Sequence, residues 1–579
     1  MMKLLWFLKP YRRMLMVVLV LALGQAVSNL ALPNLMATIV DNGIVKNDSR
    51  YIWTIGGLML LVSLGGILCA IVGIFLSSQI ATGFGKIVRA EIFTHVEYLS
   101  LYEFDTISTA SLVTRTTNDT TQVQTVLVTL LSVMVTAPIT MVGGIILAVN
   151  QDVGLSWIFV VIVPVLIVII VVLMRRAIPL FTVIQMKLEQ LNRILDESLT
   201  GVRVIRAFNR NKYEEERFDE ANFELTNVAI TVNRLVASLM PILMLILNVS
   251  SVAIIWFGAI RINQGAMQVG ALFAFLQYAM QILFALLMVS MMFALVPRAA
   301  ASAVRINKVL AMKPEVRDVS QVKRTDTMEG YVEFQNVTFS YPGAEQPALA
   351  NISFIARPGE VTAIIGGTGD GKSTLVGLIP RFYDADHGSI LVDGVDVREM
   401  PQEVLRARVG FVPQRTVLFS GTIAENIRFG KGDASGEEIE RAAEIAQASE
   451  FIATMQGGLD AVIAQGGMNI SGGQKQRLSI ARALVRRPEI YVFDDSFSAL
   501  DFKTDARLRA ALKKETLNAT VFMVTQRVST VMDADQIIVL DKGRSVGIGT
   551  HQELMRTCEV YREIVSSQLS AEEIAEEIA

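Results

Sequence analysis

The chain has 579 residues, 52% hydrophobic and 18% charged, with a formal net charge of −3. That length exceeds one ordinary domain, the charged share falls below the ~25% typical of soluble domains, and the near-neutral balance excludes nucleic acid as a main partner. Two cysteines, Cys69 in an apolar run and Cys558 near the C-terminus, suggest no disulfide and place the soluble half in a reducing compartment.

Met1 to Arg13 is short and basic, and the apolar run after it is too long for a leader core, so it reads as a retained span. A span needs about 20 mainly apolar residues. Six stretches qualify, at 14–40, 52–78, 125–149, 155–175, 236–262 and 270–297. Lys3, Lys9, Arg12 and Arg13 precede the first, while the loop Asn150-Gln151-Asp152 has no basic residue. The stretches 79–124 and 176–235 are long and rich in Lys and Arg, which puts them and both termini on the cytoplasmic side. Lys46 and Arg50 are a mild contrary signal. Helical periodicity through Leu180–Arg193 predicts helices that continue beyond the bilayer.

No Asp, Glu, Lys or Arg interrupts the middle of a span, which argues against a proton-coupled carrier. Gln25, Asn29, Asn34 and Asn248 are among the uncharged polar residues. In the sixth span Gln277, Gln281, Phe284, Met288 and Met292 share one helix face. That face either lines an adaptable pathway or packs against neighbouring helices. Residues 1–297 thus form a membrane domain and 298–328 a charged linker. Residues 329–567 form a soluble α/β domain and 568–579 an acidic tail.

Within the soluble domain, Val361–Ile365 reads as a buried strand. It runs into Gly366-Gly367-Thr368-Gly369-Asp370-Gly371-Lys372-Ser373-Thr374 and then a helical run. This is a phosphate loop in the strand–loop–helix setting it requires. Its backbone N–H groups curl around phosphate oxygens, Lys372 reaches the β- and γ-phosphates, and Ser373 offers an oxygen to Mg²⁺. The strand Glu489–Phe493 ends in Asp494, an acid suited to hold that Mg²⁺. Between them, Ser471-Gly472-Gly473-Gln474 opens a helix. It is either an anion site for a phosphate presented by another subunit or a helix cap with Ser471.

With these motifs in this order, the chain resembles the ATP-binding cassette exporters over essentially its whole length. The resemblance implies a fold of six membrane helices fused to a phosphate-loop nucleotide-binding domain. It makes Tyr341 the aromatic that stacks on adenine and Gln414 the glutamine that senses Mg²⁺. Ser471–Gln474 becomes the signature loop, and Ser498-Ala499-Leu500-Asp501 the loop that crosses a dimer interface. Stretches 102–105 and 200–208 resemble coupling helices. The family works as dimers with two ATP molecules, each held by one subunit's phosphate loop and the other's signature loop.

Two positions depart from the family pattern. Asp495 stands where Glu usually acts as general base, and Gln526 where a switch histidine is usual. Asp is one methylene short, and a displacement of about 1 Å costs on the order of 100-fold in rate. Gln cannot become a cation beside the γ-phosphate. Asp370 adds a negative charge near the phosphates and is expected to weaken binding. Gln465 stands where Glu is usual. The signature loop is near the pattern, with Ile470 where Leu is usual.

The expectation is a multi-pass cell-membrane protein that uses ATP and Mg²⁺ to expel apolar or amphipathic compounds. Its own ATP site hydrolyses poorly, and its partner is a second half-transporter carrying Glu and His. This resembles the bacterial heterodimeric multidrug exporters. The alternatives are a homodimeric lipid or peptide exporter with slow ATPase, and an ATP-gated regulatory membrane protein.

Overall fold

The computed structural model describes residues 3–319 and 329–569. Among these, six helical stretches are long and apolar enough to cross a bilayer: Leu4–Ile44, Ser49–Glu97, Thr109–Gln151, Trp157–Thr200, Asn211–Asn263 and Val269–Leu310. Each is 41 to 53 residues long, about twice what a bilayer needs. At about 1.5 Å per residue the surplus forms the polar extensions anticipated from the sequence.

Close packing in the first pair of helices follows from small residues. A Cβ on Gly66 would collide with Ser28, whose hydroxyl donates to the Val62 carbonyl at 2.6 Å. The third stretch is interrupted by two π-helical turns, Arg115–Asp119 and Leu130–Met134. The first turn brings the buried Asp119 against the last helix. There Arg305 Nε donates to its Oδ2 at 2.7 Å and Ser302 Oγ to its Oδ1 at 2.9 Å.

The stretch read as a linker from residue 298 is helical as far as Leu310. Ala299, Ala303, Ile306 and Val309 are fully buried at steps of three and four, a helical face that the surrounding charges obscure. Residues 320–328 of that linker lie outside the described residues, as do residues 570–579 of the acidic tail.

The chain divides into two compact units, one of Met1–Glu97 with Thr109–Ala311, the other of Tyr98–Ser108 with Met312–Ala579. The short helix Leu101–Ile107, one of the two tip segments, therefore belongs with the soluble domain. Its Glu103 is buried, caps the Ser100 amide and accepts from the Glu315 amide at 3.1 Å. The other tip helix, Val202–Ala207, belongs to the membrane unit, with Val204 61% and Phe208 75% exposed.

The soluble domain contains twelve described strands: β1 (Val332–Phe339), β2 (Leu349–Ala356), β3 (Val361–Gly366), β4 (His387–Val392), β5 (Val395–Asp396), β6 (Val409–Val412), β7 (Gly421–Thr422), β8 (Val462–Ile463), β9 (Ile490–Asp494), β10 (Thr520–Val524), β11 (Gln536–Asp541) and β12 (Arg544–Gly549). The six-stranded sheet runs β12-β11-β3-β10-β9-β6, parallel except for the β11–β12 hairpin. A four-stranded antiparallel sheet, β2-β1-β4-β5, stands beside it. β9 and β10 are buried throughout, which their unbroken apolar sequences require of central parallel strands. Ligands of such sheets bind at the carboxyl ends of the strands, where β3, β9 and β10 deliver Gly366, Asp494 and Thr525.

Candidate functional site

β3 leads through two left-handed glycines, Gly369 (φ 93°) and Gly371 (φ 89°), into the helix Lys372–Gly377. This backbone aims the loop amides at one point, and only glycine takes both positions without strain. A cavity of about 400 Å³ opens there, lined by Tyr341, Thr368, Gly369, Gly371, Lys372, Ser373, Thr374, Gln414, Asp494, Asp495 and Gln526. Eleven residues singled out in the sequence thus surround one space. Ala348, Val524 and Thr525 complete the wall.

Lys372 is 8% exposed, and its ammonium donates to the Gly366 and Gly367 carbonyls at 3.0 and 2.5 Å. Burial lowers its pKa, opposed by Asp370, Asp495 and Asp494. Burial raises the pKa of Asp494, with the Asp495 charge adding to it and the Ser373 hydrogen bond opposing it. Ser373 Oγ donates to Asp494 Oδ1 at 2.8 Å. A buried ammonium beside a nest of amides suits a triphosphate. The paired hydroxyl and carboxylate oxygens suit a hydrated Mg²⁺.

Tyr341 is 40% exposed and its hydroxyl meets Thr374 Oγ1 at 3.0 Å. Phe339 and Tyr383 brace its ring edge-on. Gln526 sits beyond the end of β10. Its carbonyl accepts from Gln568 Nε2 at 2.7 Å, and Gln568 Oε1 accepts from the Val528 amide at 2.9 Å. Arg527 donates to the Ser498 carbonyl at 2.8 Å. No local motif marks Gln568, because it reaches the loop from the far end of the domain.

The remaining expected ligands do not line this cavity. Gly366 and Gly367 are outside its lining and meet it only through their carbonyls, which accept from Lys372, and the Asp370 carboxylate accepts from the Gly367 and Lys542 amides. The signature residues are also elsewhere. Ser471 caps the helix Gly472–Leu484 in a capping box with Gln474. The cap considered at sequence level is therefore present, and it leaves the Gly472 and Gly473 amides at a helix N-terminus. A Cβ on Gly473 would stand 2.9 Å from the Ala499 carbonyl, so glycine permits this contact with the neighbouring loop. Asp501 caps the next helix through the Thr504 amide at 3.0 Å, which holds its carboxyl below the usual range.

The membrane unit has its own cavity of about 580 Å³. Gln25, Asn29, Gln277, Gln281, Phe284 and Met288 all line it. Met292, assigned to the same face, is 2% exposed and does not. Ser132, Thr136 and Thr140 line it as well and were not anticipated from sequence, although their four-residue spacing marks one helix face. The π-helical turn Leu130–Met134 carries part of the cavity wall. Among its lining residues none is ionisable. Gln281 Nε2 donates to the Asn29 carbonyl at 3.1 Å, while its buried Oε1 has no partner.

A phosphate loop, an acid-ended strand and a glycine-opened helix on one α/β domain, joined to six long apolar helices, define an ATP-driven membrane transporter. Residues 15–286 match the ABC transporter transmembrane region, and residues 349–498 the ABC transporter domain. The chain is similar to an uncharacterized ABC transporter ATP-binding protein of Mycobacterium tuberculosis H37Rv, 45% identical over 97% of both chains. It is also similar to the putative multidrug export ATP-binding/permease protein YgaD of Bacillus subtilis, 31% identical over 97% of this chain and 98% of that one. A solved bacterial Atm1-family ABC exporter with ATP bound superposes with a TM-score of 0.81. It shares 27% identity and covers 97% of this chain and 99% of its own. The chain belongs to the ABC transporters and has the exporter fold.

Proposed function

We propose that this chain is the degenerate half of a heterodimeric exporter. Its partner is a second half-transporter with Glu and His at the positions of Asp495 and Gln526. The observation that carries this reading is that both substituted residues line the same cavity as Lys372, Ser373 and Asp494. Binding groups are retained there, while the groups that activate water and respond to the γ-phosphate are shortened or uncharged. General-base catalysis is worth roughly 10²–10⁴-fold, so nucleotide is held here with little turnover.

Ser471–Gln474 lies outside this cavity, in accord with its serving the phosphate loop of the partner. Mg²⁺ is held by Ser373 and Asp494 with Gln414 nearby. Both termini and the soluble domain are cytoplasmic. The cargo is apolar or amphipathic and passes the cavity of Gln25, Asn29, Gln277, Gln281, Phe284 and Met288. Its uncharged lining and the multidrug name of one relative support this reading.

The test is purification of the chain alone and with a co-expressed half-transporter that carries the missing Glu and His. The expected result is weak ATPase activity alone, and at least tenfold more in the complex, abolished there by substituting the partner's Glu. Equal activity and transport by the chain alone would favour a homodimer and overturn the proposal.

A further inference from the structure

The sequence alone makes Asp370 a liability, a negative charge inside the loop that must hold a triphosphate. Its position in the fold points the other way. Asp370 does not line the nucleotide cavity. Its Oδ2 accepts from the Gly367 amide within the loop, and its Oδ1 accepts from the Lys542 amide at 3.1 Å. Lys542 sits at the turn of the β11–β12 hairpin, where it and Gly543 take left-handed backbone (φ 47° and 77°). That turn is itself fixed, since the Ala350 amide donates to the Gly543 carbonyl at 2.8 Å. Gly371 approaches the residue just before β2 so closely that a Cβ would stand 2.6 Å from the Ala348 carbonyl.

Hydrogen bonds to an ionised acceptor are roughly twice as strong as neutral ones. One carboxylate therefore spans two amides from segments about 170 residues apart in sequence. Its charge is taken up by donors behind the loop, and it also favours the charged form of the buried Lys372. A loop already fixed in its binding shape loses less freedom when ligand arrives.

We infer that Asp370 is a positioning residue that clamps the phosphate loop to the β11–β12 turn and strengthens nucleotide binding. The inference concerns binding by this chain's own phosphate loop, so it stands or falls independently of whether the site hydrolyses slowly or the chain forms a heterodimer.

The experiment compares the full-length chain in detergent with its Asp370→Asn and Asp370→Ala variants. A fluorescent ATP analogue reports affinity, and hydrogen exchange of the nucleotide-free protein reports the loop. Asn keeps one acceptor and loses the charge; Ala loses both. The expected order of affinity is wild type, then Asn, then Ala, with Ala weaker by about tenfold. Exchange should quicken at the Gly367 and Lys542 amides and stay unchanged in β9 and β10. Unaltered exchange in those central strands separates a released clamp from a misfolded domain. Equal or tighter nucleotide binding by the Ala variant would overturn the inference, as would unchanged exchange at Gly367.

Discussion

Gln414 Nε2 donates to Asp495 Oδ2 at 3.4 Å, and both residues line the cavity that holds Lys372. This amide therefore already addresses the Asp495 carboxylate, which the proposed reading puts at the general-base position. On the proposed reading that carboxylate is too short to reach a water set for attack on the γ-phosphate.

Lengthening it and restoring an imidazole should recover hydrolysis. The double change Asp495→Glu with Gln526→His should raise turnover at this site by roughly 10²-fold, measured in the complex with the partner's own site disabled. Flat turnover would remove the basis for calling the site degenerate.

Asp494 yields a prediction with a sign. Burial is the main cause of its raised pKa, so the folded domain binds its proton more tightly than the unfolded chain does. Its favourable contribution is complete below the ordinary carboxylate range and is lost as pH rises through the raised folded value. Near pH 7 the buried charge is a cost. Asp494→Asn keeps an acceptor for Ser373, so near pH 7 it should raise the melting temperature of the nucleotide-free domain. The gain should shrink in acid. Mg²⁺-dependent nucleotide binding should fall in the same variant. Thermal melting from pH 5 to 8, with and without Mg-ATP, checks both.

In the membrane unit, Gln281 carries a buried carbonyl with no partner. Gln281→Leu removes that unsatisfied group and the bond to Asn29, so stability should hold or rise. If this cavity passes cargo as proposed, recognition of an apolar or amphipathic cargo should change instead. The concentration of an amphipathic test compound giving half-maximal stimulation of ATPase should shift roughly fivefold or more, with affinity for nucleotide as the control.

Asp119 and Arg305 join the third and last helical stretches. Arg305 is half exposed and Asp119 is 4% exposed by side chain. Asp119→Ala leaves the arginine mostly solvated, so the loss should be roughly 1–3 kcal/mol rather than that of a fully buried pair. Arg305→Ala strands the buried carboxylate and should cost more. Unfolding of the two variants in detergent gives the comparison.

What the sequence revealed depended on range. The phosphate loop and the glycine-opened helix are runs of nine and four residues, and their chemistry is written locally. The acid at the end of β9 follows from an unbroken apolar strand. Three things were not local. The Asp370 clamp needs the β11–β12 turn, the hold on Gln526 needs Gln568, and the cavity wall of Ser132, Thr136 and Thr140 needs the packing of separate helices. The helical reach to Leu310 is hidden in the sequence because Arg298, Arg305 and Lys308 interrupt the apolar run and only a narrow buried face continues it. Of the six cavity residues, Gln277, Gln281, Phe284 and Met288 are legible as one helix face of an apolar span, and Gln25 and Asn29 only as polar residues within one.

Asp495 occupies left-handed backbone, at φ 45°. Short Asp and Asn side chains adopt that region more readily than most residues, because they bond to nearby main chain. A glutamate there has no such local compensation. Asp495→Glu would therefore gain reach and accept a less comfortable main chain together.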